Sequence, residues 1–121
     1  MDSLKKKLEA LTPTEVKVLY YLTKEERPVT IEELVKKTKM SRPQLWRILR
    51  KLLDYDLVIY VTAGFLKGNA ELAARLKLDR NSIEQMHGKT RLYISRVTLE
   101  ELCNDPKISM WIRYLEQEGG G

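Results

Sequence analysis

The chain has 121 residues, 43% hydrophobic and 32% charged, with a formal net charge of +5, which suits one globular core without disulfide or metal staples and excludes a disordered polymer. A single cysteine, Cys103, excludes an internal disulfide and a cysteine metal cluster. With no zinc spacing, no phosphate-cradling glycine loop and no nucleophile set around the one histidine, His87, neither enzyme activity nor a cofactor nor a metal is expected. No run approaches the roughly 18 to 20 apolar residues of a membrane helix, and MDSLKKKLEAL lacks the continuous apolar core of a signal peptide, so a cytoplasmic protein away from membranes is expected.

From the N-terminus, Ser3 to Leu11 reads as a short helix, with Ser3 as its cap and Leu4, Leu8 and Leu11 on one face. Thr12-Pro13-Thr14-Glu15 then opens a helix over 13–24: Thr12 caps, proline suits the first helical position, Glu15 reaches back to the Thr12 amide, and Leu11 and Val16 staple. The same grammar recurs at Thr30 with Glu33, between Val29 and Leu34, and at Ser41 with Gln44, between Met40 and Leu45. It predicts helices over 31–38 and 42–54. The three residues between these helices force them to cross sharply, in helix-turn-helix geometry.

The third of these helices carries most of the charge. Lys36 to Lys51 holds seven Lys or Arg and no acid, so the rest of the chain sums to −2. At 100° per residue, Leu45, Ile48, Leu49, Leu52 and Leu53 share one side, Pro43, Arg47, Arg50 and Asp54 lie opposite, and Gln44 and Lys51 flank them. Trp46 falls at the edge of the core.

Residues 57–62 are β-branched and aromatic, a strand; 91–97 is its partner, with Leu92, Ile94 and Val97 inward and Arg91, Tyr93 and Arg96 outward. The 63–90 connection is too long for a hairpin loop and should carry structure, with helix over 69–78 and another turn or two over 82–87, where His87 beside Gly88 marks a helix end. A fourth box, Thr98 with Glu101, starts a helix on which Cys103 is a small buried residue. Asp105 with Pro106 starts the last helix, striped by Ile108, Trp111, Ile112 and Leu115. Residues 119–121, all glycine, are expected to be disordered. The predicted fold is mainly α with a small antiparallel β-wing. It is a single winged helix-turn-helix domain, 1–118, with its core helix-turn-helix at 12–55, an elongated wing, and flanking N- and C-terminal helices, the latter over 98–118.

The phrases LTPTEVKVLYYL, PVTIEELVKKTKMSRPQLWRILRKLLDYDLV and RLYISRVTLEEL, in this order, resemble the winged helix-turn-helix transcriptional regulators of the MarR and TrmB type. That resemblance implies a homodimer joined by its terminal helices, with the third helix, from Arg42 to Lys51, in a major groove. The chain departs from the pattern in having Asp56 where a glycine commonly ends the third helix, and in its longer wing.

A sequence-specific regulator of double-stranded DNA is therefore expected. Arg42, Gln44 and Arg47 are the base-reading candidates, since Arg grips guanine O6 and N7 and Gln grips adenine N6 and N7. Lys36, Lys37, Lys39, Ser41, Arg50 and Lys51 are phosphate candidates, and the helix starts at Thr12 and Thr30 border the backbone. Lys67, Lys89 and Arg91 are wing candidates, but acids interleave the wing cations, so a protein contact there stands equally open. Leu4, Leu8, Leu11, Ile108, Trp111, Ile112 and Leu115 are the dimer-interface candidates. The alternative function is a protein-interaction or assembly module in a nucleic-acid-processing complex, using the 63–90 insertion.

Overall fold

The computed structural model describes residues 3–119. Its elements run α1 (Ser3–Glu9), α2 (Pro13–Glu25), α3 (Ile31–Thr38), α4 (Arg42–Asp54), β1 (Val58–Thr62), α5 (Ala63–Lys67), α6 (Ala70–Arg75), α7 (Arg80–Gln85), β2 (Arg91–Ser95), α8 (Leu99–Cys103) and α9 (Pro106–Gly119). The architecture is mostly helical with a two-stranded antiparallel sheet, a winged helix-turn-helix whose wing is elongated by three short helices. No helix among the described residues is long and apolar enough to cross a membrane.

The caps at Thr12, Thr30, Ser41 and Thr98 form, but only two of the four boxes close. Thr12 with Glu15 and Thr98 with Glu101 bond reciprocally. Thr30 and Ser41 accept the amides of Glu33 and Gln44 without the return bond. Glu33 instead accepts from Arg27 Nη2 at 2.8 Å, a partner from the preceding loop that local spacing does not reveal. Asp105 caps α9 as expected, accepting the Ile108 amide at 3.1 Å. Ser3, expected as the cap of α1, is instead its first helical residue, and α1 ends two residues before Leu11. Gly119 closes α9 instead of lying in a disordered tail, and Gly120 and Gly121 lie outside the described residues.

The helix-turn-helix corner is held by buried Thr38, whose hydroxyl donates to the Leu34 carbonyl at 2.7 Å and accepts the Met40 amide at 3.2 Å. Lys39 takes the left-handed conformation there, φ 60°, and its amide caps α3 on the Val35 carbonyl. Asp56 turns the chain out of α4 at φ 57°, a conformation that Asp tolerates better than most residues.

β1 and β2 pair in the register Val58↔Ser95 to Thr62↔Arg91, and Val29 bridges the free side of β2 through two hydrogen bonds with Tyr93, at 3.0 and 2.7 Å. β2 ends at Ser95, two residues short of expectation, because the Ser95 hydroxyl both accepts the Val97 amide and bonds the Val97 carbonyl, closing a turn.

Two buried clusters lie on the two sides of β2, where one core was expected. The larger gathers Leu8, Val16, Leu19, Leu34, Leu45, Leu49, Leu52, Tyr93, Leu102 and Ile108 among others. The smaller, Ala63, Leu66, Ala73, Ile83 and Leu92, is built by the insertion itself. Tyr93 was expected to face outward, but with helices on one side and the insertion on the other β2 has no solvent face, so adjacent Leu92 and Tyr93 are both buried. Within the insertion, α5 is an unexpected element; Thr62 caps it by accepting the Phe65 amide. α6 and α7 correspond to the two expected helical stretches, shortened and shifted by a residue or two.

Candidate nucleic-acid interface

α4 owes its placement to Leu45, Ile48, Leu49 and Leu52, all buried against α2, α3 and β1. Full burial of each leucine contributes about 1.5–3 kcal/mol, so the rotation of the helix about its axis is firmly set. Arg42, Pro43, Arg47, Arg50 and Asp54 are consequently exposed. Lys36 and Lys37 at the end of α3, and Lys39 and Ser41 in the turn, are exposed as well. Helix end, turn and α4 thus bring these cations together on one corner of the molecule.

The remaining candidates are placed differently. Arg42 pairs with Glu32 of α3, Nη1 to Oε1 3.1 Å, with both side chains more than half exposed. Gln44 is half-buried and lines an open groove of about 350 Å³ together with Thr14 and Lys17 of α2 and Trp111, Tyr114 and Leu115 of α9. Lys51 turns away from the exposed face, bonding Glu15 Oε1 at 2.8 Å and the Ala10 carbonyl at 3.2 Å. Thr12 is exposed at the start of α2, whereas Thr30 is buried, so of these two helix starts only α2's is open to a backbone.

Around the wing, Lys89 is exposed and Lys67 donates to the Met86 carbonyl, tying α5 to the end of α7. Arg91 lies over two aromatic rings, its guanidinium carbon 4.2 Å from the Tyr60 centroid and 5.6 Å from that of Trp46. Each such contact stabilises by about 0.5–1 kcal/mol at an exposed site. Burial pushes the neighbouring Tyr93 phenol above its ordinary value, and Arg91 beside it offsets part of that rise.

Three expectations change here. Trp46 is not an edge-of-core residue: it is 47% exposed, because the α4 stripe is filled by leucine and isoleucine and the indole is left on the flank facing the wing. Cys103 is exposed, since α8 is only five residues long and buries Leu102 instead. His87 sits beyond the end of α7, in the turn before β2, where its Nδ1 accepts the Lys89 amide at 3.1 Å.

Of the dimer-interface candidates, Leu8, Leu11, Ile108 and Ile112 are buried inside the chain's own larger cluster, and Leu4, Trp111 and Leu115 pack against it, half-buried. The apolar side chains α9 leaves to solvent are Met110 and Tyr114, 62% and 61% exposed. Sequence reasoning missed the acids that engage this face, Glu15 and Glu32, and the Arg91 stack. Their partners lie 36 and 10 residues away for the acids, distances at which no local pattern signals a contact.

Residues 12–60, from the cap of α2 into β1, match the family model described as bacterial regulatory protein, arsR family. A stretch of 51 residues is 51% identical to a protein of Methanocaldococcus jannaschii described as an uncharacterized HTH-type transcriptional regulator, over 41% of this chain and 52% of that one. The match therefore spans about half the length of the curated relative. No solved structure matches the chain. The helix-turn-helix segment is thus similar to that of transcriptional regulators, under the arsR description and not the MarR or TrmB one that the sequence phrases resemble.

Proposed function

We infer that this chain is a sequence-specific regulator that binds double-stranded DNA, with α4 in the major groove. The carrying observation is that Arg47 and Arg50 are exposed on a helix whose opposite face is fully committed to the core, beside exposed Lys36, Lys37 and Lys39 at the turn. The first turns of α4 then approach base edges, making Arg42, Gln44 and Arg47 the reading residues. Lys36, Lys37, Lys39, Ser41 and Arg50 meet phosphates, with Lys67, Lys89 and Arg91 serving the wing. Lys51 acts from behind, fixing α4 to the α1–α2 junction through Glu15 and Ala10. Exposed Met110 and Tyr114 on α9, next to half-buried Leu4, Trp111 and Leu115, support a homodimer that presents two copies of α4 to half-sites about one DNA turn apart.

A second reading, an assembly module contacting protein through the insertion, draws on exposed Phe65, 56% open on α5. Titration of mixed-sequence duplex DNA separates the two. Under the DNA reading, affinity falls roughly a hundredfold or more between about 50 and 200 mM salt as counterions are released. Absent or salt-insensitive binding sinks it and leaves the second reading.

A further inference from the structure

We propose that Trp46 and Tyr60 are positioning residues that hold the Arg91 guanidinium between helix α4 and the base of the wing, ready to grip a backbone phosphate. The inference rests on the DNA reading above. Its starting point is the contrast between Arg91 and two other cations around α4. Arg42 is paired with Glu32 and Lys51 with Glu15, but among the described residues no carboxylate pairs with Arg91. Its guanidinium is held instead by the rings of Tyr60 on β1 and Trp46 on α4, at 4.2 and 5.6 Å, and by a hydrogen bond to the Tyr93 phenol. Tyr60 in turn packs at a tilt on Tyr93, centroids 6.2 Å apart.

The chemistry of the two kinds of partner differs. A carboxylate neutralises the cation and occupies the same in-plane N–H donors that a phosphate would need. An aromatic ring engages the flat face of the guanidinium through its quadrupole, leaves the charge uncancelled, and leaves the in-plane donors for a bidentate acceptor. Position matters equally. Arg91 opposes Thr62 at the last pair of the ladder, where the insertion leaves and rejoins the sheet, while Trp46 belongs to the reading helix. The stack therefore spans the step from α4 to the wing, where a DNA strand leaving the major groove passes. It also accounts for an indole left half exposed on a helix whose stripe is otherwise well buried.

The test combines a readout without DNA and one with it. In a Trp111→Phe chain, Trp46 is the one remaining tryptophan. Its fluorescence should change when Arg91→Ala is added; unchanged emission overturns the stack. In duplex titrations, Trp46→Ala and Arg91→Ala should each weaken binding roughly five- to tenfold and lower the salt slope by about one. The double variant should match Arg91→Ala alone, and Trp46→Phe should restore most of the loss. Additive losses overturn the proposal, because Trp46 would then touch DNA by itself. A wild-type chain that binds no duplex overturns the DNA reading and with it the phosphate role of Arg91. That failure is told apart from failure of the stack by a Trp46 emission that still responds to Arg91.

Discussion

Lys51 Nζ lies 2.8 Å from Glu15 Oε1, joining α4 to the first turn of α2. The same Glu15 oxygen accepts the Thr12 amide at 2.9 Å, so one carboxylate closes a helix cap and anchors the neighbouring helix. Partial burial works against its charge, but the Lys51 and Thr12 hydrogen bonds and the Lys51 charge outweigh that and hold Glu15 below its ordinary 4.5. A lowered folded-state pKa means the stabilisation is complete above 4.5 and is lost as the pH falls through the folded value. Glu15→Gln keeps an acceptor for Thr12 but removes the ion pair. It should cost about 0.5–1 kcal/mol at neutral pH, discounted for the partial exposure of Lys51. Denaturant melts at neutral and acidic pH should show the gap to wild type closing in acid; a gap that stays constant would mean the pair contributes nothing.

Thr38 is the keystone of the helix-turn-helix corner. Thr38→Val keeps the shape of the side chain but removes the bond to the Leu34 carbonyl and the acceptor for the Met40 amide. The expected loss is about 1–3 kcal/mol, since buried polar backbone groups lose partners. Chemical denaturation reads it directly, and hydrogen exchange at the Met40 amide should accelerate more than in α9.

At the base of the insertion, Gly64 donates to the Gly88 carbonyl at 2.8 Å, and a Cβ on Gly64 would lie 3.0 Å from that same oxygen and 3.4 Å from the Gly88 Cα. Gly64→Ala must push backbone against backbone and should destabilise by about 1–3 kcal/mol. Gly68→Ala is the control: its Cβ would meet nothing nearer than the Phe65 carbonyl at 3.8 Å. Comparable melting temperatures for the two variants would show that the close approach is not maintained in solution.

Under the proposed DNA reading, Arg47→Ala should relax base preference, whereas Lys37→Ala should lower affinity for all duplexes alike, because that reading assigns one cation to bases and the other to phosphates. Selection of bound fragments from a random duplex library, repeated with each variant, measures both. Equal, sequence-independent losses would remove the role assignment, and a palindromic wild-type site would establish the two-fold arrangement.

Elements were legible in the sequence where their cause is local. The caps at Thr12, Thr30, Ser41 and Thr98 start helices because a hydroxyl and an amide three residues later need no third party. The wheel of α4 was readable for the same reason. Contacts made by distant partners were not: Glu33 is taken from its box by Arg27, Tyr93 is covered by Val29 and the helices, and α5 follows a Thr62 cap whose third residue onward is a phenylalanine with no reciprocal bond to offer. The exposed cations of the candidate interface were legible as a charge run, but not which of them would be claimed by Glu15, Glu32 or an aromatic ring. That depends on how three helices and a strand meet.

The position of β2 between two buried clusters has a consequence for how such a chain can vary. Leu92 belongs to one cluster and Tyr93 to the other, so the strand acts as a party wall between the helix-turn-helix and its annex. Beyond that wall, the annex can be enlarged, trimmed or recoloured by substitution while the hydrophobic set that orients α4 stays intact. The exposed face of α4 and the surface of the annex are thus free to drift at separate rates, coupled chiefly through the few side chains that straddle the wall.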